Sequence, residues 1–584
     1  MTTAEKNSSE RSSIDQAAAM TGWTVGLLFL ALALVSSQSW TNWFLHPLNT
    51  AAGLPKEVLT DGVTMLRLML PLAGLSWIVW TILLQCTPVP TLHSRRLEWS
   101  RGWALAAALL LSVSVLLRLP LLDDGLWYDE IASFWYYGQF GPGPIIGNMF
   151  TPANHTLQTL GSWTSMLISG GSLEPEVIRL PALVLGLATL WPLSALARDA
   201  FGKMPWIFLT AALILCSPIA LLESTEARGY AFMLFFGASG SALLVRYLTC
   251  GNIALLPFYA IITTLGIWSH MVTVVVPLAH AVYLLGTMMW GDKADRDARS
   301  QALFGLSAIA VSALTTLTVL APVIPDLLSQ SKSFSATRND QPDLFGQEGL
   351  NSLLGLGGAW GILGGIPGLI LVCAGCLAAV RDAGVRRPLV VTGLPILIAI
   401  LLVSGLGTWV YARFLVFGLP FTVLAIAAGI RMVWTRSRTA GTVATVLLLS
   451  AWGGDLSNRY QTPRQPVREI MAAIPSDGRD IGFMGITDLG IILSWYVDDP
   501  NRIVELAPTE HDEVVASSIG WIVIAYPSRT IPEIVLSELT QEMKPEAEGP
   551  PQTIVEGFVI RELEDGWIDG DGSMMLLERV ERDL

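Results

Sequence analysis

Leu116-Leu117-Arg118-Leu119-Pro120-Leu121-Leu122-Asp123-Asp124-Gly125-Leu126-Trp127-Tyr128-Asp129-Glu130 passes from a membrane-like run into a patch of acid with no spacer between them. Four carboxylates fall between Asp123 and Glu130, and an aromatic cluster follows at Phe134, Trp135, Tyr136 and Tyr137. In a chain that is 14% charged, this density of acid at the mouth of an apolar run needs a cause. Two causes stand open at this point. Acids just outside a helix can simply be solvated, or they can be functional, in which case burial or desolvation is the distinguishing mark.

Working outward, the chain has 584 residues, 52% of them hydrophobic, with 21 Trp and a mean hydropathy of +0.54. Soluble domains carry roughly 25% charged residues, so this composition belongs to the membrane class. Apolar runs long enough to cross a ~30 Å hydrocarbon core recur from Thr21–Ser37 to Thr439–Trp452, which predicts about 13 transmembrane helices. Lys and Arg gather in alternate loops, at Arg95, Arg96 and Arg101, then Arg198 and Lys203, Arg246, Lys293 to Arg299, Arg381 to Arg387, and Arg431 to Arg438. The positive-inside rule makes these loops cytoplasmic. The N-terminal tail, 1–20, is then inside, and the acid patch and the C-terminal tail are outside. No cleavable signal peptide is expected, because the first apolar run leads into Gln38-Ser39-Trp40 without a small-residue cleavage site.

The expected architecture is a polytopic α-helical membrane domain over 21–455, with a first large outer loop at 123–177, and a C-terminal extracytoplasmic α/β domain over 456–584. Within the outer loop, Thr156–Ile168 has helical apolar spacing and reads as an amphipathic helix on the outer leaflet. The tail alternates strand-like runs (Ile481–Met484, Trp521–Ala525, Thr553–Ile560) with helical ones (Val467–Ile474, Ile531–Lys544), as a small α/β domain does. It holds roughly 24 Asp and Glu against 10 Lys and Arg, so it carries essentially all of the net charge of −13 and offers no basic footprint for nucleic acid. Asp569-Gly570-Asp571-Gly572 lacks EF-hand spacing and reads as a hairpin turn. The polar stretch Pro325–Asn351 reads as an outer loop, of a composition shared by lids and plain surface loops. The five cysteines all lie in or beside apolar runs, and Cys373 and Cys376 read as buried small residues of a membrane helix.

Outer segment by outer segment, the chain resembles the GT-C superfamily of integral membrane glycosyltransferases, in the bacterial branch related to protein O-mannosyltransferases and the lipid A aminoarabinose transferase. The residues that carry the resemblance are Arg118-Leu119-Pro120, Asp129-Glu130, Asn154-His155-Thr156-Leu157, Arg179-Leu180-Pro181, Leu196 to Gly202, Ser217-Pro218, Glu226-Ala227-Arg228-Gly229-Tyr230, Ser269-His270 and Tyr411-Ala412-Arg413-Phe414. They span roughly 103–430 in the family's order. The family usually has His-Pro-Pro-Leu where this chain has His155-Thr156-Leu157-Gln158, and Thr21–Cys86 reads as an added helix pair.

The resemblance implies an inverting transfer of a sugar, of mannose or arabinose type, from a polyprenyl-phosphate donor to a hydroxyl of an extracytoplasmic glycan, lipid or protein, at a bacterial plasma membrane. Such a reaction needs a carboxylate within about 3 Å of the attacking hydroxyl. Asp129 is the first choice, with Glu130 and Asp124 as alternatives. It also needs cations at the departing phosphate, where Arg suits the geometry better than Lys. Arg228, Arg413 and His270 are the candidates, with His155, Tyr128 and Trp135 as candidate contacts to acceptor or substrate. The aromatic cluster is otherwise an interfacial belt. A divalent cation on Asp123, Asp124 or Glu130 is chemically allowed, but nothing in the sequence demands a metal or cofactor. The tail is expected to bind or orient the acceptor. The rival function is a transporter or flippase of a lipid-linked glycan, which would place ionisable residues near the midplane and show repeats; here they cluster at helix ends and no repeat shows.

Overall fold

In a computed structural model, the described residues are 3–47, 49, 56–87, 100–151, 154–290, 296–329, 354, 360–406, 412–484, 489–497, 499–506, 519–525, 558–564 and 573–579. The chain forms two compact units. One comprises Met1–Leu119, Phe140–Ser172 and Val177–Asp455, and the other Pro120–Gln139, Leu173–Glu176 and Leu456–Leu584. The acid patch therefore groups with the C-terminal tail, not with the helices that flank it in sequence.

The first unit is helical. Among the described residues nine helices are long and apolar enough to cross a membrane, and three shorter apolar ones, Met204–Cys216, Ile253–Ser269 and Gly365–Arg381, accompany them. Over the described residues, each expected apolar run is mostly helical. The last, Thr439–Trp452, belongs to the helix Arg438–Gln461, which is not one of the nine. Of the apolar runs Ile178–Leu196 and Met204–Leu222, the first carries a one-residue turn and the second is broken. Pro175–Ala188 gives way to Leu190–Phe201 at Thr189. Met204–Cys216 stops at Ser217, whose ψ of 126° is extended, and Pro218–Glu223 restarts beyond it. The proline ring excludes the helical conformation from the residue before it and offers no N–H of its own. That break turns the chain into the segment that carries Glu226 and Arg228.

Close backbone approach and internal polar pairs join the helices. A Cβ on Gly375 would stand 2.0 Å from the Ala425 carbonyl oxygen, and one on Gly429 2.1 Å from that of Leu371. Small residues at such crossings let membrane helices pack without a hydrophobic driving force between them. The added helix Lys56–Gln85 docks on Arg296–Leu320 through indole donors, Trp77 Nε1 to Thr315 at 2.8 Å and Trp80 Nε1 to Ser307 at 2.9 Å. His280, fully buried, is held between the Tyr259 hydroxyl at 2.9 Å and the Ser241 hydroxyl at 3.3 Å. All five cysteines are free, and Cys373 and Cys376 lie on the exposed surface of Trp360–Arg381 instead of inside the bundle. The amphipathic expectation at Thr156–Ile168 corresponds to a helix with those bounds.

The second unit is built on a five-stranded sheet, β1 Asp480–Met484, β2 Ile503–Glu505, β3 Ile519–Ala525, β4 Phe558–Glu564 and β5 Met574–Arg579, in the order β2-β1-β3-β5-β4. β2, β1 and β3 run parallel, and β5 and β4 are antiparallel to their neighbours. All seven residues of β3 are buried, which is why Ile-Gly-Trp-Ile-Val-Ile-Ala shows no alternation. Val467–Ala472 is helical as expected, Leu489–Ser494 adds a short helix, and β2 and β5 had no clear sequence signal. Ile531–Lys544, Asp569–Gly572 and most of Pro325–Asn351 lie outside the described residues.

Candidate active site

Four segments of the helical unit converge on one buried polar cluster. Arg228 comes from the turn before the helix Tyr230–Cys250, His155 caps the helix Thr156–Ile168, His270 ends the helix Leu256–Ser269, and Arg413 opens the 3-10 turn Ala412–Gly418. The His155 and His270 rings stack at 4.7 Å with 19° between their planes, and Tyr230 lies 5.9 Å from one and 5.4 Å from the other. Phe414 meets His270 edge-on at 5.0 Å. The Arg413 Nε donates to the Tyr230 hydroxyl at 3.0 Å. His155, Arg228 and His270 are each buried, and Tyr230 is completely so.

Burial is the largest cause that pushes both imidazoles down, with the positive charge of Arg228 next for each. His270 falls to about 3, with Arg413 adding to the effect, and His155 lies well below its ordinary 6.5 although a hydrogen bond to the Ser269 carbonyl opposes the shift. Both rings are therefore neutral at neutral pH. His155 spends one ring nitrogen on that carbonyl, and its Nε2 is buried with no hydrogen-bond partner among the described residues. His270 accepts the Val272 N–H on Nδ1 at 3.4 Å, which places its proton on Nε2, also buried and without a partner among the described residues. The stacked pair thus presents one ring-nitrogen lone pair and one N–H donor beside guanidinium charge. Gly229 makes this packing feasible, since a Cβ there would lie 2.6 Å from the Ser269 oxygen and 2.9 Å from His155 Nδ1.

Beneath the Arg228 segment, Arg118 is almost wholly buried. Its Nε donates to Ser224 Oγ at 2.7 Å, and its Nη1 donates to the Leu215 carbonyl at 3.1 Å, the Ser114 carbonyl at 2.9 Å and the Ser114 hydroxyl. It ties the helix Arg101–Leu122 to both sides of the Ser217 break. In the sequence Arg118 is part of the Arg118-Leu119-Pro120 motif with no role of its own. A lone arginine inside an apolar run was the signal that it had to be internally satisfied.

The acidic candidates belong to the second unit. Tyr128–Tyr136 is a nine-residue helix with Asp129 and Glu130 in its first turn. Glu130 is buried and its Oε2 accepts the Trp127 N–H at 3.3 Å, an end-capping contact that satisfies one of the donors a helix start leaves open. Asp124 Oδ1 accepts the Gly125 N–H at 2.9 Å within its own turn. Asp129 is half-buried at the helix start, where the backbone dipole favours negative charge. Phe134 and Tyr137 are core residues, while Tyr128, Trp135 and Tyr136 keep part of their surface. Among the described residues no group of three or more His, Cys, Asp and Glu is gathered closely enough to hold a metal ion, so the divalent-cation option finds no donor set there.

No family model matches this sequence, and no curated protein does. Similar solved structures include ArnT from Cupriavidus metallidurans, in an apo state and bound to undecaprenyl phosphate. Each is 12% identical with a TM-score of 0.49, over 82% of this chain and 98% or 99% of the other. A third is the Archaeoglobus fulgidus oligosaccharyltransferase in complex with Zn and sulfate, 12% identical with a TM-score of 0.45, over 74% of this chain and 69% of that one.

Proposed function

We propose that this protein is a membrane glycosyltransferase that moves a sugar from a polyprenyl-phosphate donor to an acceptor hydroxyl, with inversion at the anomeric carbon. The observation that carries the reading is the cluster of Arg228 and Arg413 around two neutral, stacked imidazoles, inside a unit of membrane-spanning helices. A lipid whose head is a phosphate fits both properties at once. Its chain partitions between helices, and its head finds guanidinium charge and an N–H donor already desolvated.

In the reaction the bond between the anomeric carbon and the phosphate oxygen breaks, and its electron pair stays on the phosphate. Charge growing there is what Arg228, Arg413 and the His270 Nε2–H would stabilise. The acceptor oxygen forms the new bond and gives its proton to a carboxylate. Asp129 is the proposed base: it stands half-buried in the first turn of the helix Tyr128–Tyr136. The sugar is of mannose or arabinose type and the acceptor a cell-envelope glycan, lipid or protein, on the outer face of a bacterial plasma membrane with the N-terminus inside.

Polyprenyl monophosphate alone, titrated into protein in nanodiscs, tests the phosphate site directly. Arg228→Gln and Arg413→Gln are each expected to weaken binding about 10- to 100-fold, the usual scale for loss of a desolvated charge-assisted contact. Binding unchanged in both variants would overturn the assignment.

A further inference from the structure

The tail touches the acid-bearing loop at its main chain. Arg468 Nη1 donates to the Asp123 carbonyl at 2.7 Å, and the Tyr496 hydroxyl donates to the Leu126 carbonyl at 3.0 Å. The Tyr128 N–H donates to Gln465 Oε1 at 3.0 Å. Between these contacts the Arg464 guanidinium lies 3.9 Å over the Trp127 ring, and Trp495 meets Phe134 edge-on at 6.0 Å. Leu126, Trp127, Arg464 and Gln465 are all buried. A Cβ on Gly125 would come within 3.0 Å of the Arg468 Cβ, so the loop passes the tail at a distance that only glycine allows comfortably.

These contacts have a common target. Three of them bind backbone groups of residues 123, 126 and 128, which lead into and begin the helix that carries Asp129. Backbone contacts fix the path of a chain whatever its side chains do. The Tyr128 N–H is also one of the donors that a helix start leaves without an intrahelical partner, and the tail satisfies it with an amide oxygen. Reading the tail as an acceptor-binding module gives these contacts no purpose.

We propose that Gln465, Arg468 and Tyr496 are positioning residues that set the carboxylate of Asp129, so that the tail acts on the chemical step and not on acceptor affinity. This rests on the proposed role of Asp129 as general base. A base displaced by about 1 Å loses on the order of 100-fold in rate, so a loosened clamp lowers kcat and leaves KM for donor and acceptor in place.

The test uses the full chain in nanodiscs, with Gln465→Met and Tyr496→Phe as variants that keep side-chain volume, and Gly125→Ala disturbing the same clamp from the loop's side. Two readouts are taken. Hydrogen exchange of the peptide over 123–131 is expected to accelerate in each variant, with the helix Tyr230–Cys250 unchanged. Initial rates are expected to show kcat down about 10-fold or more with KM within twofold. Unaltered exchange over 123–131 in all three variants would overturn the clamp, whatever the protein's activity. Faster exchange with a raised acceptor KM and an unchanged kcat would overturn the positioning role in favour of acceptor binding. Asp129→Asn, run alongside, separates the two claims: full turnover in that variant defeats the base assignment, while the exchange data still decide the clamp.

Discussion

His155 and His270 matter because of what surrounds them. Burial and the neighbouring guanidinium charges hold both rings neutral, with His270 down at about 3. An unfolded chain would protonate both near 6.5. Between those values the unfolded state binds more protons, so stability is fully present above about pH 6.5 and is lost as pH falls toward 3. Thermal unfolding in nanodiscs between pH 7 and pH 4 should show the melting temperature dropping with acidity, and His270→Asn should flatten the slope. An equal slope in that variant would mean His270 does not titrate in this window. Tyr230 gives a second test at this scale. Its hydroxyl accepts from Arg413, so Tyr230→Phe should raise KM for the donor by about 10-fold, the scale of one hydrogen bond to a charged group, with kcat little changed.

Among the elements, the positions of helix breaks decide what the site contains. Ser217-Pro218 lies inside the apolar run Met204–Leu222, and hydropathy windows smooth over such points. In the structure it ends one helix and turns the chain into the Arg228 segment, which Arg118 braces from below through Ser224. The apolar runs themselves were legible because lipid imposes a length and a composition on every crossing. The mutual arrangement of the runs was not, since it depends on contacts such as Gly375 against Ala425 that leave no periodic trace. Gly229 is the point where packing and site meet. Gly229→Ala should drive its methyl into the Ser269 carbonyl and the His155 ring, lowering donor affinity while leaving the exchange protection of the helix Tyr230–Cys250 intact. Donor affinity equal to wild type would show that the His155 position is unimportant for the phosphate.

On the scale of the whole molecule, the sequence places the acid patch in an outer loop of a membrane domain that ends at 455. The contacts instead join Pro120–Gln139 to the tail. That grouping could not be seen in the sequence, because it rests on the side chains of Gln465, Arg468 and Tyr496, none of which has a distinctive pattern around it. The candidates themselves were legible as residue types in order along the chain: a carboxylate after one apolar run, arginines at the starts of two others. What the structure adds is local detail: Glu130 accepts the Trp127 N–H, Asp124 accepts the Gly125 N–H, and Asp129 sits half-buried in the first turn of the helix Tyr128–Tyr136. The most direct test is turnover of a polyprenyl-phosphate sugar with a hydroxyl acceptor, wild type against Asp129→Asn, with the anomeric configuration of the product read by NMR. The account predicts transfer with inversion by the wild-type protein, and a kcat at least about 100-fold lower in the variant with donor binding preserved; transfer at an undiminished rate by Asp129→Asn would contradict it.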